Sequence, residues 1–128
     1  MKELVHQAGR DHEFQIDSAA VSTEEIGNPI YPPAQRKLRE HHVPFDGHYA
    51  HQITRAEFNR YDLIILMDQS NMRILARLLG NVSMDKVHLM MSYTGSHRDV
   101  EDPWYTGDFE AAYRDILAGC TGLLGSLL

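Results

Sequence analysis

The chain has 128 residues, of which 43% are hydrophobic and 23% charged, with a formal net charge of −6. This length and composition suit a single globular domain, residues 1–128, with one hydrophobic core. The acidic balance argues against nucleic-acid binding and against membrane-surface binding, because both partners attract a basic face. A single cysteine and the lack of an apolar run long enough to span a membrane favour a cytoplasmic protein.

The first half of the chain is predicted to contain two helices and a strand. Residues 1–8 resemble the end of a helix that Gly9 closes, and this helix has no N-cap residue of its own. The alternation in residues 14–19 predicts a strand. A loop rich in glycine and proline follows, and Pro33 is placed to open a second helix, which ends before Pro44.

The second half of the chain is predicted to alternate helices with buried strands. Thr54 and Glu57 have the spacing of a capping box at the start of a short helix. The apolar runs at residues 63–67 and 87–91 predict strands buried on both faces, with a helix capped by Asp68 or Ser70 between them. Strands separated by helices predict right-handed crossovers and a parallel sheet.

The end of the chain is predicted to contain a long loop and a final helix. The loop, residues 92–107, is of a length that is uncommon unless the loop is functional. The apolar stripe of the final helix carries Phe109, Tyr113, Ile116, Leu117, Cys120 and Leu124. Cys120 lies on this stripe, and Ser126 rather than an arginine stands six positions after it, so we interpret Cys120 as a packing residue.

The most suggestive acidic side chain is Asp102, which precedes Pro103, Trp104 and Tyr105. Proline restricts the residue before it, which fixes the backbone that carries the carboxylate. A positioned carboxylic acid can protonate a departing oxygen, and the two aromatic side chains can form apolar walls for an aromatic substrate. The alternative is a solvated acidic turn with two core aromatics.

Ligands of parallel sheets bind beyond the carboxyl ends of the strands, and residues 68–71 follow the first buried strand. Asp68 and Asn71 are therefore candidate site residues, although a helix cap alone would explain them. The eight histidines are scattered without carboxylates at ligand spacing, so no metal site is predicted.

Five stretches of the sequence resemble the low-molecular-weight protein tyrosine phosphatases, in the same order and at the same spacing. They are Asp17-Ser18-Ala19-Ala20-Val21-Ser22, Gly27-Asn28-Pro29, Gly47-His48-Tyr49-Ala50-His51-Gln52-Ile53-Thr54, residues 61–71, and Val100-Glu101-Asp102-Pro103-Trp104-Tyr105. Each stretch alone is a weak match, but five in order are specific. The resemblance implies a three-layer α/β fold, with a flavodoxin-like parallel sheet flanked by helices.

The resemblance also implies a role for each candidate residue. Asp102 matches the general acid, Trp104 and Tyr105 match the wall of the phosphotyrosine pocket, and Asp68 and Asn71 match the strand end that supports the catalytic loop. The implied substrate is a phosphorylated protein or an aryl phosphate. Phosphotyrosine and phosphoarginine both remain open as the natural group, and no cofactor is implied.

The sequence departs from the family pattern in two places. His51 stands where the family commonly has arginine. The family's Cys-x5-Arg loop, the strand before it and the start of the helix after it have no counterpart, and residues 1–5 resemble the middle of that helix. The sheet is therefore expected to lack its first, central strand, which lies between residues 14–19 and 63–67 in the family. We expect the chain alone to be inactive and to self-associate through unpaired strand edges.

Three hypotheses follow from these observations. The first is a protein tyrosine phosphatase whose sequence is shortened by a mis-assigned start or a partial gene. The second is a catalytically dead module that binds phosphorylated or aromatic ligands, or another protein. The third, arsenate reduction on the same fold, is disfavoured because that chemistry uses further cysteines.

Overall fold

A computed structural model describes residues 1–23, 27–45 and 49–128 of the chain, except for the side chain of Trp104. Along these residues, three helices precede the first strand, one helix separates the two strands, and two helices follow the second. In order, they are α1 (Lys2–Gln7), α2 (Pro32–Glu40), α3 (Arg55–Arg60), β1 (Ile64–Leu66), α4 (Gln69–Leu79), β2 (Val87–Leu89), α5 (Pro103–Thr106) and α6 (Phe109–Leu127). Two 3-10 segments, Asp11–Glu13 and Met90–Thr94, lie between them.

The two strands form the predicted parallel pair. Ile64 lies opposite Val87 and Leu66 opposite Leu89, and α4 connects the strands. Both strands have three residues rather than the five predicted for each. In β2 the cause is that the chain turns into the 3-10 segment directly after Leu89. The α/β class with a parallel sheet is thus confirmed.

Residues 14–19 do not form the predicted strand. Phe14 has extended backbone angles, but the pairing of this region in the described part is a parallel bridge between Ala20 and Gln52. A strand needs a hydrogen-bonded neighbour along its length, and the sheet built by the described residues contains only β1 and β2. The alternating pattern agrees with the backbone angles of Phe14, and the missing neighbour explains why no ladder forms.

Two helix starts follow the local sequence as predicted. Thr54 and Glu57 form a capping box at α3, in which the Glu57 N–H donates to Thr54 Oγ1 at 3.1 Å and the Thr54 N–H donates to Glu57 Oε1 at 3.2 Å. Of the two residues that could cap α4, Asp68 does so, by accepting the Asn71 N–H at 2.7 Å. Gly9 follows α1 with a φ of +70°, a conformation that favours glycine.

The core consists of two clusters of buried side chains. One joins α3 and α4 to the sheet through Phe58, Leu66, Leu75, Leu79 and Val87. The other lies where α6 meets the 3-10 segment and comprises Met90, Met91, Val100 and Cys120, with Leu4 of α1 packed against it. The sheet is therefore packed on both sides, in agreement with the expected layers.

Helix α6 approaches the 3-10 segment closely because two of its residues are glycines. A Cβ atom at Gly119 would lie 2.9 Å from the carbonyl oxygen of Met90, and one at Gly122 would overlap the carbonyl of Tyr93. The predicted apolar stripe is wrong at Ile116 and Leu117, which are 37% and 39% exposed. The buried face instead follows the glycines, because contact with the 3-10 segment sets the orientation of the helix.

None of the helices within the described residues combines the length and the apolar character needed to cross a membrane.

Candidate active site

The strand-end loop, residues 67–71, is shaped by hydrogen bonds that Asn71 and Asp68 make to the backbone. Asn71 Oδ1 accepts the Met67 N–H at 3.2 Å, while Asp68 Oδ1 accepts the Asn71 N–H at 2.7 Å. Both side chains are half-buried at the carboxyl end of β1. Asp68 and Asn71 thus shape the strand end itself, and their support of a catalytic loop stays a prediction.

The acid loop, residues 98–102, lies directly against this strand end. The Val100 N–H donates to the carbonyl oxygen of Met67 at 2.9 Å, and Asp99 Oδ1 accepts the Gln69 N–H at 3.0 Å. The loop after β1 is thereby hydrogen-bonded to the acid loop, which lies beyond β2, as expected for a site at the strand ends.

Asp115 of α6 holds the other side of the acid loop. Its carboxylate accepts two hydrogen bonds from Arg98, at 2.5 and 2.8 Å, and one from the Glu101 N–H at 2.9 Å. The hydrogen bond from Arg98 is the main cause of a lowered pKa for Asp115, opposed by partial burial. Sequence reasoning missed this contact, because nothing in the local sequence indicates that a residue in this loop and a residue on α6 are close in the fold.

Asp102 ends the acid loop and directly precedes α5. Its carbonyl oxygen accepts the N–H groups of Tyr105 and Thr106, each at 3.2 Å, and the side chain lies at the exposed surface. The predicted long loop is therefore partly helical, since α5 and the end of the Met90–Thr94 segment lie within residues 92–107. Proline at the first position of α5 suits a helix start.

A cleft of about 410 Å³ opens beside Asp102 and Asp68. Its acidic side includes these two residues and Glu101, with Lys37 of α2 as the basic side chain among the described lining residues. The rest of the wall is mainly apolar and is formed by Ala34, Leu38, Met67, Val100, Pro103, Phe109, Ala112, Tyr113 and Ile116. A second cleft of about 390 Å³, beside Arg55 and Lys86, includes none of the predicted site residues.

The predicted aromatic wall is only partly described. Tyr105 is 85% exposed on α5 and does not line the cleft. The side chain of Trp104, together with Gly47 and His48 of the third matching stretch, lies outside the described residues. The contribution of Trp104 and Tyr105 to a substrate pocket stays a prediction.

Three side chains that can bind metal come together away from this cleft. The nearest ligand atoms of Asp17, His51 and Glu57 all lie within 4.8 Å of one another. Sequence reasoning missed the group because it compared histidines with nearby carboxylates, whereas Asp17 is brought to His51 by the tertiary fold. The bridge between Ala20 and Gln52 is what aligns the two segments.

The whole chain, residues 1–128, matches the family model described as low molecular weight phosphotyrosine protein phosphatase. The chain belongs to this family. The low-molecular-weight phosphatase fold explains why the strand-end loop and the acid loop share one edge of the sheet.

Individual members of this phosphatase family match the chain over most of their own length. A Bacillus subtilis protein named low molecular weight protein-tyrosine-phosphatase YfkJ is 32% identical, over 98% of this chain and 82% of the relative. The crystal structure of YfkJ superposes with a TM-score of 0.93, at 33% identity, over 98% of this chain and 80% of that chain. A rat low molecular weight phosphotyrosine protein phosphatase is 37% identical, over 96% of this chain and 80% of its own.

Another relative of known structure is named for a different phosphatase activity. The structure of a Drosophila arginine phosphatase superposes with a TM-score of 0.80, at 28% identity, over 98% of this chain and 84% of that chain.

Cys120 has the structural environment of a packing residue. It is 3% exposed, lies in the middle of α6, and contacts the cluster that contains Met90, Met91 and Val100. A phosphatase nucleophile is instead a low-pKa thiolate at a helix N-terminus within a phosphate-binding loop. The sequence of 128 residues contains no Cys-x5-Arg, so the predicted packing role of Cys120 is confirmed by its position.

Proposed function

We propose that this chain provides the general-acid part of a protein tyrosine phosphatase site, with Asp102 as the acid. In the proposed reaction, a cysteine thiolate from a Cys-x5-Arg loop attacks phosphorus, and the bond from phosphorus to the phenolic oxygen breaks. Asp102 gives its proton to that oxygen as charge develops on it, and water then hydrolyses the cysteinyl phosphate. The observation that carries the proposal is the placement of Asp102 beside Asp68 at one cleft, at the strand ends.

We also propose that the 128 residues alone are inactive, and the charges that line the cleft support this. Asp68, Glu101 and Asp102 lie around the cleft, and Lys37 already contacts Glu40 at 2.8 Å and Glu110 at 3.1 Å. A phosphate dianion needs several N–H donors or cations directed at its oxygens. Such a set comes with the Cys-x5-Arg loop and the helix start that follows it.

We propose a phosphorylated protein as the substrate, with phosphotyrosine as the group hydrolysed. The names of the Bacillus and rat relatives support phosphotyrosine, and the apolar wall of the cleft suits an aromatic ring. The arginine phosphatase among the solved relatives makes phosphoarginine the second candidate group. A cytoplasmic location is part of this proposal.

The alternative function is a phosphatase-like binding module that performs no chemistry. The mainly apolar wall of the cleft favours it, because such a wall can bind an aromatic group without a nucleophile. Catalysis by a chain that carries the loop separates the two functions.

The test fuses a strand, a Cys-x5-Arg loop and a helix start from the Bacillus relative in front of Met1. We expect the 128-residue chain to leave p-nitrophenyl phosphate and phosphotyrosine peptide unhydrolysed, and the fusion to hydrolyse both. In the fusion, Asp102→Asn should lower kcat by about 10²–10⁴ on phosphotyrosine, because asparagine has no acidic proton to give. The loss should be smaller on p-nitrophenyl phosphate, whose leaving group departs easily without a proton.

Glu101→Gln is the matched control, since Glu101 is the neighbouring carboxylate of the same cleft. It should keep most of the activity of the fusion. Asp99, although near in sequence, is unsuitable as a control because its carboxylate binds the Gln69 N–H. A fusion in which Asp102→Asn matches the parent on phosphotyrosine, or in which Glu101→Gln is the weaker enzyme, contradicts the assignment of Asp102.

A further inference from the structure

Asp17, His51 and Glu57 converge from three separate segments of the chain. Asp17 belongs to the extended segment before the Ala20 bridge, His51 lies on the segment that this bridge pairs, and Glu57 is in the first turn of α3. His51 Nε2 and Glu57 Oε2 are 2.9 Å apart, and the ligand atoms of all three residues lie within 4.8 Å of one another.

We propose that these three side chains form a binding site for a divalent transition-metal ion, with zinc as the best match. Zinc takes imidazole nitrogen and carboxylate oxygen at about 2.0–2.2 Å, and a site with three protein ligands keeps a fourth position for water. Ligand atoms around a tetrahedral zinc lie about 3.3 Å apart, from the same bond lengths. The separations of 2.9 Å and at most 4.8 Å bracket this value, so rotation of side chains is enough to close the site.

The backbone around the site fixes two of the three ligands. The Ala20 N–H donates to the His51 carbonyl at 2.7 Å, and the Ile53 N–H donates to the Ala20 carbonyl at 2.8 Å. Glu57 is held by the capping box, in which Thr54 uses Oε1. This leaves Oε2 directed toward His51, as a metal site requires.

The exposure of the side chains suits a site that solvent can reach. The side chain of His51 is 40% exposed and that of Glu57 is 19% exposed, and Asp17 lies at the surface. A metal ion can therefore enter without unfolding, and water can take the fourth position.

An ion pair between His51 and Glu57 would explain why these two side chains are close together, but not why Asp17 lies beside them. The carboxylate of Asp17 brings a second negative charge to the same imidazole, and a singly charged histidine does not neutralise both. A dication bound to a neutral imidazole neutralises the two carboxylates, in a chain whose net charge of −6 already attracts cations. A metal ion would therefore engage all three side chains of the cluster.

A metal ion at this position would tie the extended segment to the start of α3. Any ligand that binds only the folded chain stabilises it, so zinc binding is expected to raise the unfolding temperature. This inference concerns a part of the fold that is separate from the cleft beside Asp102, and it does not depend on the proposed phosphatase activity.

The test uses the full 128-residue chain, zinc ions alone and a chromophoric chelator that competes for them. We expect one zinc ion per chain, and a rise in unfolding temperature with zinc but not with magnesium. His51→Arg should weaken binding by at least about tenfold, because a guanidinium can pair with the carboxylates but cannot ligate a metal. Asp17→Asn, at an exposed position that leaves the capping box intact, should weaken binding in the same way.

His41→Arg is the matched control. His41 is also partly exposed and pairs with a single carboxylate, Glu110, at 3.1 Å. It should bind zinc as the parent does. Zinc affinity unchanged in both His51→Arg and Asp17→Asn, an equal loss in His41→Arg, or a parent chain that does not compete with the chelator overturns the proposal.

Discussion

At the scale of single residues, Asp115 connects α6 to the loop that carries Asp102. Arg98 and the Glu101 N–H both donate to its carboxylate, and its pKa is lowered mainly by the hydrogen bond from Arg98. A carboxyl group with a lowered folded-state pKa adds stability above its ordinary pKa of 3.8, and this stability is lost as the pH falls through the folded value.

We therefore expect Asp115→Asn to lower the free energy of unfolding by about 1 kcal/mol at neutral pH. This is below the usual contribution of hydrogen bonds to charged groups, because the side chain of Arg98 is 53% exposed. The difference from the parent should narrow below about pH 3.9, where aspartate takes up its proton. Urea unfolding between pH 3 and pH 7, with the substitution made in the fusion that carries the extra strand, measures this.

Asp62→Asn removes an exposed carboxylate outside the acid loop and serves as the control. It should change stability little at any of these pH values. A loss of stability for Asp115→Asn that is the same at pH 3 and pH 7 would show that the charge of Asp115 does not contribute.

At the scale of elements, the contact between α6 and the Met90–Thr94 segment depends on the missing side chains of two glycines. A Cβ at Gly122 would overlap the carbonyl of Tyr93, whereas one at Gly125 has nothing within 4 Å. Gly122→Ala should lower the free energy of unfolding by about 1–3 kcal/mol, the usual cost of forcing extra volume into a packed contact.

Gly125→Ala, one turn further along the same helix, is the matched control. It should raise stability by about 0.5 kcal/mol, because alanine favours the helix over glycine and nothing obstructs it. Urea melts of the two variants in the fusion that carries the extra strand, compared with the unsubstituted fusion, give both values. Equal effects of the two substitutions would mean that α6 does not pack as closely as described.

Some elements of the fold could be predicted from local sequence and others could not. The Thr54 capping box and the Asp68 cap are interactions within one turn, so four residues contain all the information needed. Strand pairing in residues 14–19 failed as a prediction because it depends on a neighbouring strand that local alternation cannot reveal.

Candidate site residues could be proposed from the sequence where they lie in short motifs of neighbouring residues. Asp68 and Asn71, and the position of Asp102 before Pro103, follow from short motifs and from the family resemblance. The contacts of Asp115 with the acid loop and of Asp17 with His51 join distant segments, and only the fold brings them together. The orientation of α6 could not be predicted for the same reason, because contact with a neighbouring segment sets it rather than the apolar pattern of the helix.

At the scale of the whole molecule, the edge of β1 that faces away from β2 has no paired strand among the described residues. Folding margins are about 5–15 kcal/mol, so the loss of one central pairing is a large fraction of the total. An apolar strand with an open edge also pairs readily with another chain.

We expect the 128-residue chain to self-associate and to unfold over a broad range of urea concentration. Light scattering at several protein concentrations gives the mass, and urea melts give the cooperativity. The fusion that carries the extra strand is the control and should be a monomer with a sharper transition. A monomeric 128-residue chain with a sharp transition at high urea contradicts the expectation.

The burial of Cys120 makes its sulfur a probe of conformational opening. With 3% of the residue exposed, a thiol reagent reaches the sulfur only in molecules whose core around Met90 has opened transiently. When opening and closing are fast, the labelling rate divided by that of an unprotected thiol equals the fraction of open molecules. Labelling kinetics in native buffer therefore report the free energy that holds α6 in place, without any denaturant.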